Sequence, residues 1–148
     1  MQVRDLMTVE LVTIGEHESL NLADEMMKLA RVRQLPVIED QQLVGLLTQK
    51  DLMRAQVSSI ADLEEDESKE INQTIPVGAA MSTDVMTIGP DEPALEAAER
   101  LKAHKVGCLP VVDNENLVGM ITETDFLQLV IKALRQNTKA ETTKAVHS

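Results

Sequence analysis

The sequence repeats itself at a constant offset of 74 positions. Residues 34–51 recur as residues 108–125, and an ungapped alignment of residues 3–52 with 77–126 matches roughly a third of the positions, the apolar ones best. Duplication at a fixed spacing indicates two copies of one supersecondary unit that bury their faces against each other. Any site in one copy is therefore expected, in related form, in the other.

Each copy has the hydrophobic pattern of a strand, a helix, two strands and a second helix. Short strands are predicted at 12–14 and 86–88, and hairpins with polar turns at 35–48 and 109–122. The first helices are predicted to start at Ser19 and at Asp91 with Pro93, and to bury Leu20, Ala23, Met26, Met27 and Ala30, and Leu95, Ala98 and Leu101. The predicted fold class is α/β: tandem β-α-β-β-α repeats packed sheet to sheet with pseudo-two-fold symmetry.

An acidic segment separates the two copies. The formal net charge is -11, and about half of it arises in residues 62–70. We expect residues 1–61 to form the first repeat and 62–76 an acidic linker, for which a helix ending before Pro76 is one option. Residues 77–136 are expected to form the second repeat, whose last helix ends near Leu134, and 137–148 a polar tail.

Composition restricts the classes of function. Phe126 is the sole aromatic residue, so we expect an aliphatic, methionine-filled core and a planar ligand held between branched aliphatic side chains. The lack of a basic stripe with interleaved aromatics argues against nucleic acid binding. Cys108, the single cysteine, is expected to be a buried thiol in a reducing compartment. No apolar run has membrane-spanning length and the first repeat begins at once, which predicts a cytoplasmic protein without membrane insertion.

One motif recurs where a predicted strand passes into a helix. It is Gly-x-x-Thr-x-x-Asp, carried by Gly45, Thr48 and Asp51 and again by Gly119, Thr122 and Asp125. Together with the initial Val-x-x-x-Met and the Leu-Pro-Val of each copy, the motif extends a likeness over residues 3–135. In these features the sequence resembles the CBS domain family, named for cystathionine β-synthase, and within it the small stand-alone regulators of the acetoin-utilisation type.

The resemblance implies an adenine-nucleotide site in each copy. In the family the Asp carboxylate accepts hydrogen bonds from ribose hydroxyls and the Thr hydroxyl lies near the first phosphate, which a helix N-terminus also stabilises. The implied residues are Thr48 with Asp51 and Thr122 with Asp125, the strands of Thr13 and Thr87 at the adenine edge, and for phosphate Arg31 and Arg33 in the first copy and His104 and Lys105 in the second.

Simpler interpretations stand beside these. Thr-x-x-Asp is also the sequence of a helix capping box, and cations near a helix C-terminus complement its dipole. The copies differ as well: Lys50, Arg33 and Gln34 of the first correspond to Thr124, Gly107 and Cys108 of the second. We therefore expect two related sites of unequal affinity.

The leading hypothesis is a regulatory module that binds AMP, ADP or ATP, needs no obligatory cofactor and forms a homodimer. It would signal to an unidentified enzyme or transporter. Catalysis is not expected, because Asp51 and Asp125 are repeat-equivalent and should lack the unlike environments of an acid/base pair. Metal binding is not expected either, since the histidines lack ligand spacing. The alternatives are a ligand-free dimerisation module and a sensor of S-adenosylmethionine, a dinucleotide or magnesium.

Overall fold

The computed structural model describes residues 1–60 and 75–147, with side chains described for residues 1–56 and 75–139. The predicted acidic linker lies, up to residue 74, outside the described residues. The elements are α1 (Val3–Leu6), α2 (Leu20–Ala30), β1 (Gln34–Glu39), β2 (Gln42–Thr48), α3 (Gln49–Ile60), a 3-10 turn (Val77–Ala79), α4 (Ala94–His104), β3 (Cys108–Asp113), β4 (Asn116–Thr122) and α5 (Glu123–His147).

The two predicted hairpins are confirmed and have the same register. Gln34 pairs with Thr48 in the first and Cys108 with Thr122 in the second. Their two-residue turns are left-handed, as hairpin twist favours. The hairpins meet at one pair, Gln42 with Asn116, which gives one antiparallel sheet of strand order β1-β2-β4-β3. The α/β class with duplicated β-α-β-β-α units is confirmed.

The first predicted strand of each copy is much shorter than expected. Each is reduced to one parallel bridge, Ile14 with Val37 and Ile88 with Val111. The bridge still fixes the chain against the outer hairpin strand, because Ile14 N donates to Pro36 O at 3.1 Å and Ile88 N donates to Pro110 O at 3.0 Å. Each outer strand is thereby covered on its second side.

The predictions for the first helices are partly right. Ser19 caps α2, since its Oγ accepts a hydrogen bond from Leu22 N at 3.1 Å. The prediction that α4 starts at Asp91 was wrong. Pro93 holds the N-cap position of α4, and Asp91 forms an ion pair with Arg4. Leu95 was wrong as a core residue, because it is 68% exposed.

The buried stripe of α4 agrees with the prediction at Leu101 and is shifted by one residue at its other two positions. It consists of Ala94, Ala97 and Leu101. Small side chains at two of its three positions let the helix backbone approach the sheet closely. The second helix of the second copy also differs from expectation, because α5 continues to His147 rather than ending near Leu134.

The two hydrophobic clusters exchange their N-terminal segments. Val3 is fully buried in the cluster of the second copy, with Ile88 and Ile121, whereas Val77 is fully buried in the cluster of the first copy. The backbone contacts are reciprocal: Val3 N donates to Glu92 O at 2.9 Å, and Val77 N donates to Glu18 O at 2.7 Å. The segment at the start of the first copy therefore completes the core of the second copy, and the segment at the start of the second copy completes the core of the first.

Across residues 1–60 and 75–147, no helix combines the length and the apolar character needed to cross a membrane.

Candidate functional site

Both Thr-x-x-Asp motifs form capping boxes at helix starts. At α3, Thr48 N donates to Asp51 Oδ2 at 2.9 Å and Asp51 N donates to Thr48 Oγ1 at 3.1 Å. At α5 the same two bonds join Thr122 and Asp125 at 2.9 and 3.3 Å. The capping interpretation is confirmed for both copies, because each acid satisfies an amide that the helix leaves open. Capping alone therefore does not distinguish the two motifs.

A large cavity distinguishes them, because it lies beside Asp125. We call it the Asp125 cavity. Its volume is about 670 Å³, within the usual range for small-molecule sites. Its walls come from both copies: from the first, residues at the strand bridge, after α2 and in β1 (Leu11, Val12, Arg31, Val32, Arg33, Gln34 and Pro36), and from the second, residues of β4 and the start of α5 (Met120, Thr122, Glu123, Thr124, Asp125 and Gln128). Thr8, Glu10 and Gly107 complete it.

The walls of the Asp125 cavity suit a nucleoside in two ways. Val12 and Val32, both partly exposed, give it an aliphatic side that suits a planar base in a chain without stacking aromatics. The start of α5 gives it the positive end of a helix dipole, where an anionic group is stabilised.

Asp125 itself is held rigidly. Its side chain is 9% exposed, and Oδ2 accepts hydrogen bonds from Thr122 N at 2.9 Å and Thr122 Oγ1 at 3.2 Å. Oδ1 accepts a hydrogen bond from Thr8 Oγ1 at 3.1 Å. A carboxylate oxygen can accept two bonds, so Oδ1 retains one acceptor site for a ligand hydroxyl. Asp51 is only half-buried and has no bond described to Ser82, the counterpart of Thr8, within residues 1–60 and 75–147.

Thr8 reaches Asp125 because the exchanged N-terminal segment crosses β4. Thr8 and Met120 form an antiparallel bridge with N to O distances of 2.8 and 2.9 Å. Ser82 and Leu46 form the equivalent bridge in the other copy. Gly119 allows the close approach: a Cβ there would lie 2.7 Å from Met7 Sδ and 3.0 Å from Thr8 O. The glycine of the repeated motif is thus explained by this crossing.

The two arginines predicted for phosphate both line the Asp125 cavity. Arg31 is the C-cap of α2 and has a left-handed backbone, with φ of 57°. Arg33 lies two residues further on, and its carbonyl accepts a hydrogen bond from Gln49 N at 2.8 Å. Both side chains are exposed, so they can turn towards an anion without losing a buried partner.

The remaining predicted residues lie elsewhere. Thr13 is half-buried and does not line the Asp125 cavity, although its neighbours Leu11 and Val12 do. Thr87 lines a separate cleft of about 400 Å³. The carbonyl of Thr87 accepts a hydrogen bond from Arg100 Nη1 at 3.1 Å, so an adenine edge would have to compete for it. None of the other four predicted residues, all described by the structure, lines the Asp125 cavity: Thr48, Asp51, His104 and Lys105.

Among the lining residues that were not predicted from the sequence are four polar ones: Thr8, Glu10, Glu123 and Gln128. Gln128 could have been found by helical spacing from Asp125 on α5, and Glu123 by its place in the first turn of the same helix. No local sequence pattern connects Thr8 and Glu10 with this site, because they lie more than 100 positions before Asp125 in the chain. No cluster of three or more potential metal-ligating side chains occurs in the part of the chain that the structure describes.

Sequence comparison identifies the repeated unit. The family model of the CBS domain matches twice, over residues 3–58 and 77–132. A CBS domain-containing protein of Dictyostelium discoideum is 33% identical over 134 residues, which cover 89% of this chain and 92% of that protein. A homoserine O-acetyltransferase of Methanococcoides burtonii is 35% identical over 130 residues, but the chain spans only 24% of its length.

Solved structures share the fold. The acetoin utilization protein AcuB from Vibrio cholerae is 32% identical with a TM-score of 0.78, over 94% of this chain and 96% of that one. CBSX2 in complex with AMP is 28% identical with a TM-score of 0.74, over 89% and 97%. The CBS domain pair of MJ0100, solved with 5′-methylthioadenosine and S-adenosyl-L-methionine, is 21% identical with a TM-score of 0.75, over 90% and 98%, which is a likeness of fold alone. The chain belongs to the CBS domain family and contains two copies of the domain.

Proposed function

We propose that the protein is a regulatory module that binds an adenine nucleotide in the Asp125 cavity. The observation that carries the proposal is the position of Asp125, whose carboxylate faces a cavity that also contains Arg31 and Arg33. The free acceptor site on Asp125 Oδ1 suits one hydroxyl donor of a ribose, and guanidinium groups suit phosphate. CBSX2, solved with AMP, supports this ligand class because it is similar over nearly its whole length.

The module has no proposed catalytic step of its own. Binding would favour one arrangement of the two copies, because the Asp125 cavity draws its walls from both. A partner enzyme or transporter that contacts the protein would respond to that arrangement. We place the protein in the cytoplasm as part of the same proposal.

Calorimetric titration with AMP, ADP and ATP tests the site. We expect binding to the wild type and its loss in Asp125→Ala. Asp51→Ala is the matched control, because Asp51 makes the same two capping bonds at α3 but does not line the cavity. Equal thermal destabilisation of the two variants would show that the loss of capping is balanced between them.

The outcomes separate the proposal from its rivals. Binding that survives in Asp125→Ala would move the site away from the Asp125 cavity. No heat with any adenine nucleotide on the wild type would refute the nucleotide proposal and leave a ligand-free interaction module. MJ0100, solved with 5′-methylthioadenosine and S-adenosyl-L-methionine, makes these two compounds necessary in a thermal-shift panel beside a dinucleotide and magnesium.

We also propose that the protein forms a homodimer through α5. One face of this helix exposes Leu127, Val130, Ile131 and Leu134, spaced as a single helical stripe. A contiguous apolar stripe on a soluble surface favours association, and a second copy of α5 offers the same stripe. Sedimentation of the wild type and of Val130→Glu tests this, with Val9→Glu as the control because Val9 is equally apolar but lies off the helix. A wild-type monomer, or a dimer that survives Val130→Glu, would refute this interface.

A further inference from the structure

The charges that line the Asp125 cavity do not favour a highly anionic ligand. Arg31 and Arg33 are the cations among its lining residues, and three carboxylates line it as well, those of Glu10, Glu123 and Asp125. If Asp125 is taken up by ribose hydroxyls, the two guanidinium groups are matched by two glutamates. The cavity then has no surplus positive charge for a chain of phosphates.

Glu123 puts a carboxylate on the wall of the Asp125 cavity at the start of α5. It lies in the first turn of the helix, where the positive end of the helix dipole attracts anions. A carboxylate at this point already uses the favourable helix potential and repels a second anion. Glu10 adds a carboxylate from the first copy, on the far side of the chain crossing at Thr8.

The duplicated half of the sequence supplies an internal comparison. The positions equivalent to Glu123, Thr124 and Gln128 carry Gln49, Lys50 and Arg54. The start of α3 is therefore cationic where the start of α5 is acidic or neutral. The fold tolerates both charge patterns at the same structural position, so Glu123 is not required for the helix start.

We propose that Glu10 and Glu123 make the Asp125 cavity select adenosine ligands of low negative charge, such as a nucleoside monophosphate, over nucleoside triphosphates. This inference rests on the proposed function, because it concerns the ligand of that same site. Glu10 and Glu123 are specificity-determining residues in it. Each further phosphate adds negative charge to a cavity whose two guanidinium groups are already balanced by the two glutamates, so affinity falls along the series AMP, ADP, ATP.

Dissociation constants for AMP and ATP, measured calorimetrically in EDTA so that ATP carries its full charge, test the selectivity. For the wild type at low ionic strength we expect AMP to bind about tenfold more tightly than ATP, with a smaller ratio at high salt as screening increases. Glu123→Gln and Glu10→Gln should each reduce the ratio several-fold. Adding Thr124→Lys to Glu123→Gln, which follows the residues of the first copy, should bring the two affinities close to each other.

Glu99→Gln is the control, because it removes the same charge from an exposed site on α4 outside the cavity and should leave the ratio unchanged. Thermal denaturation of every variant checks that the fold is retained. ATP binding as tight as AMP binding to the wild type would overturn this inference while leaving the nucleotide site intact. An unchanged ratio in both glutamate variants would also overturn it, and a wild type that binds neither nucleotide would overturn the proposed function as well.

Discussion

Two single residues show how the duplication separates stability from function. Arg31 and Lys105 are equivalent, and both end a helix with a left-handed backbone, at φ of 57° and 54°. This conformation disfavours residues with a side chain, and helices usually place glycine there. Only Arg31 lines the Asp125 cavity. A residue other than glycine is therefore unfavourable at both positions. Only at Arg31 does the side chain lie where it can contact a ligand.

Replacement of each residue by glycine tests this. Arg31→Gly and Lys105→Gly should both keep or raise the free energy of unfolding, by up to about 1 kcal/mol, because the backbone strain is relieved. Only Arg31→Gly should weaken nucleotide binding. Urea denaturation and calorimetry measure the two effects separately. Equal loss of binding in both variants would show that Arg31 acts through the helix end and not through its charge.

Cys108 is confirmed as a buried thiol, and burial raises its pKa to about 11 from 9.0. The unfolded thiol ionises first, so stability is complete below pH 9 and decreases as the pH rises towards 11. By pH 10 we expect the wild type to lose about 1 kcal/mol relative to Cys108→Ala. The lysines also begin to titrate in this range, but they are present in both proteins, so comparison with Cys108→Ala cancels their contribution. Parallel pH dependence of urea unfolding in both proteins would contradict the assignment.

At the scale of elements, the sequence predicts local features better than the contacts between copies. The hairpins, the Ser19 cap and both capping boxes depend on residues within a few positions of each other. The burial phase of α4 was partly wrong because alanines and leucines on this helix form two adjacent apolar stripes. The bond from Thr8 to Asp125 and the exchange of the first segments join distant positions, for which the sequence alone has no periodic signal.

The glycines of the repeated motif belong to this scale, because they let one chain segment cross another. A Cβ on Gly45 would lie 2.5 Å from Met81 Sδ and 3.0 Å from Ser82 O, and Gly119 is equally restricted. Gly45→Ala and Gly119→Ala should each lower the free energy of unfolding by about 1–3 kcal/mol through overpacking. Gly119→Ala should also weaken ligand binding, because it displaces Thr8.

Gly15→Ala is the matched control for these variants. The nearest atom to a Cβ at Gly15 is Glu18 Cγ at 3.7 Å, which is an ordinary contact. We expect this change to leave both stability and binding within error of the wild type, as measured by urea denaturation and calorimetry. Equal destabilisation by all three alanines would show that lost backbone freedom, and not the chain crossing, determines the effect.

At the scale of the molecule, the exchanged segments make the two copies depend on each other. The start of the first long helix in each copy is hydrogen-bonded to the N-terminal segment of the other copy. Ala94 N donates to Met1 O, and Leu20 N donates to Ile75 O, both at 3.0 Å. The Asp125 cavity is lined by both copies and, at Thr8, by the first segment as well. The first segment thus contributes Thr8 to the cavity and Val3 to the core of the second copy.

The exchange predicts a crossed response to mutation. Val3→Ala removes a fully buried side chain from the second cluster and should cost about 2 kcal/mol. Its effect on amide hydrogen exchange should be greatest in β3 and β4, although Val3 lies in the first copy of the sequence. Val77→Ala should instead increase exchange in β1 and β2, because Val77 packs in the first cluster. Mass spectrometry measures hydrogen exchange in each hairpin separately. If Val3→Ala increased it mainly in β1 and β2, or Val77→Ala mainly in β3 and β4, the result would contradict the swapped packing of the N-terminal segments.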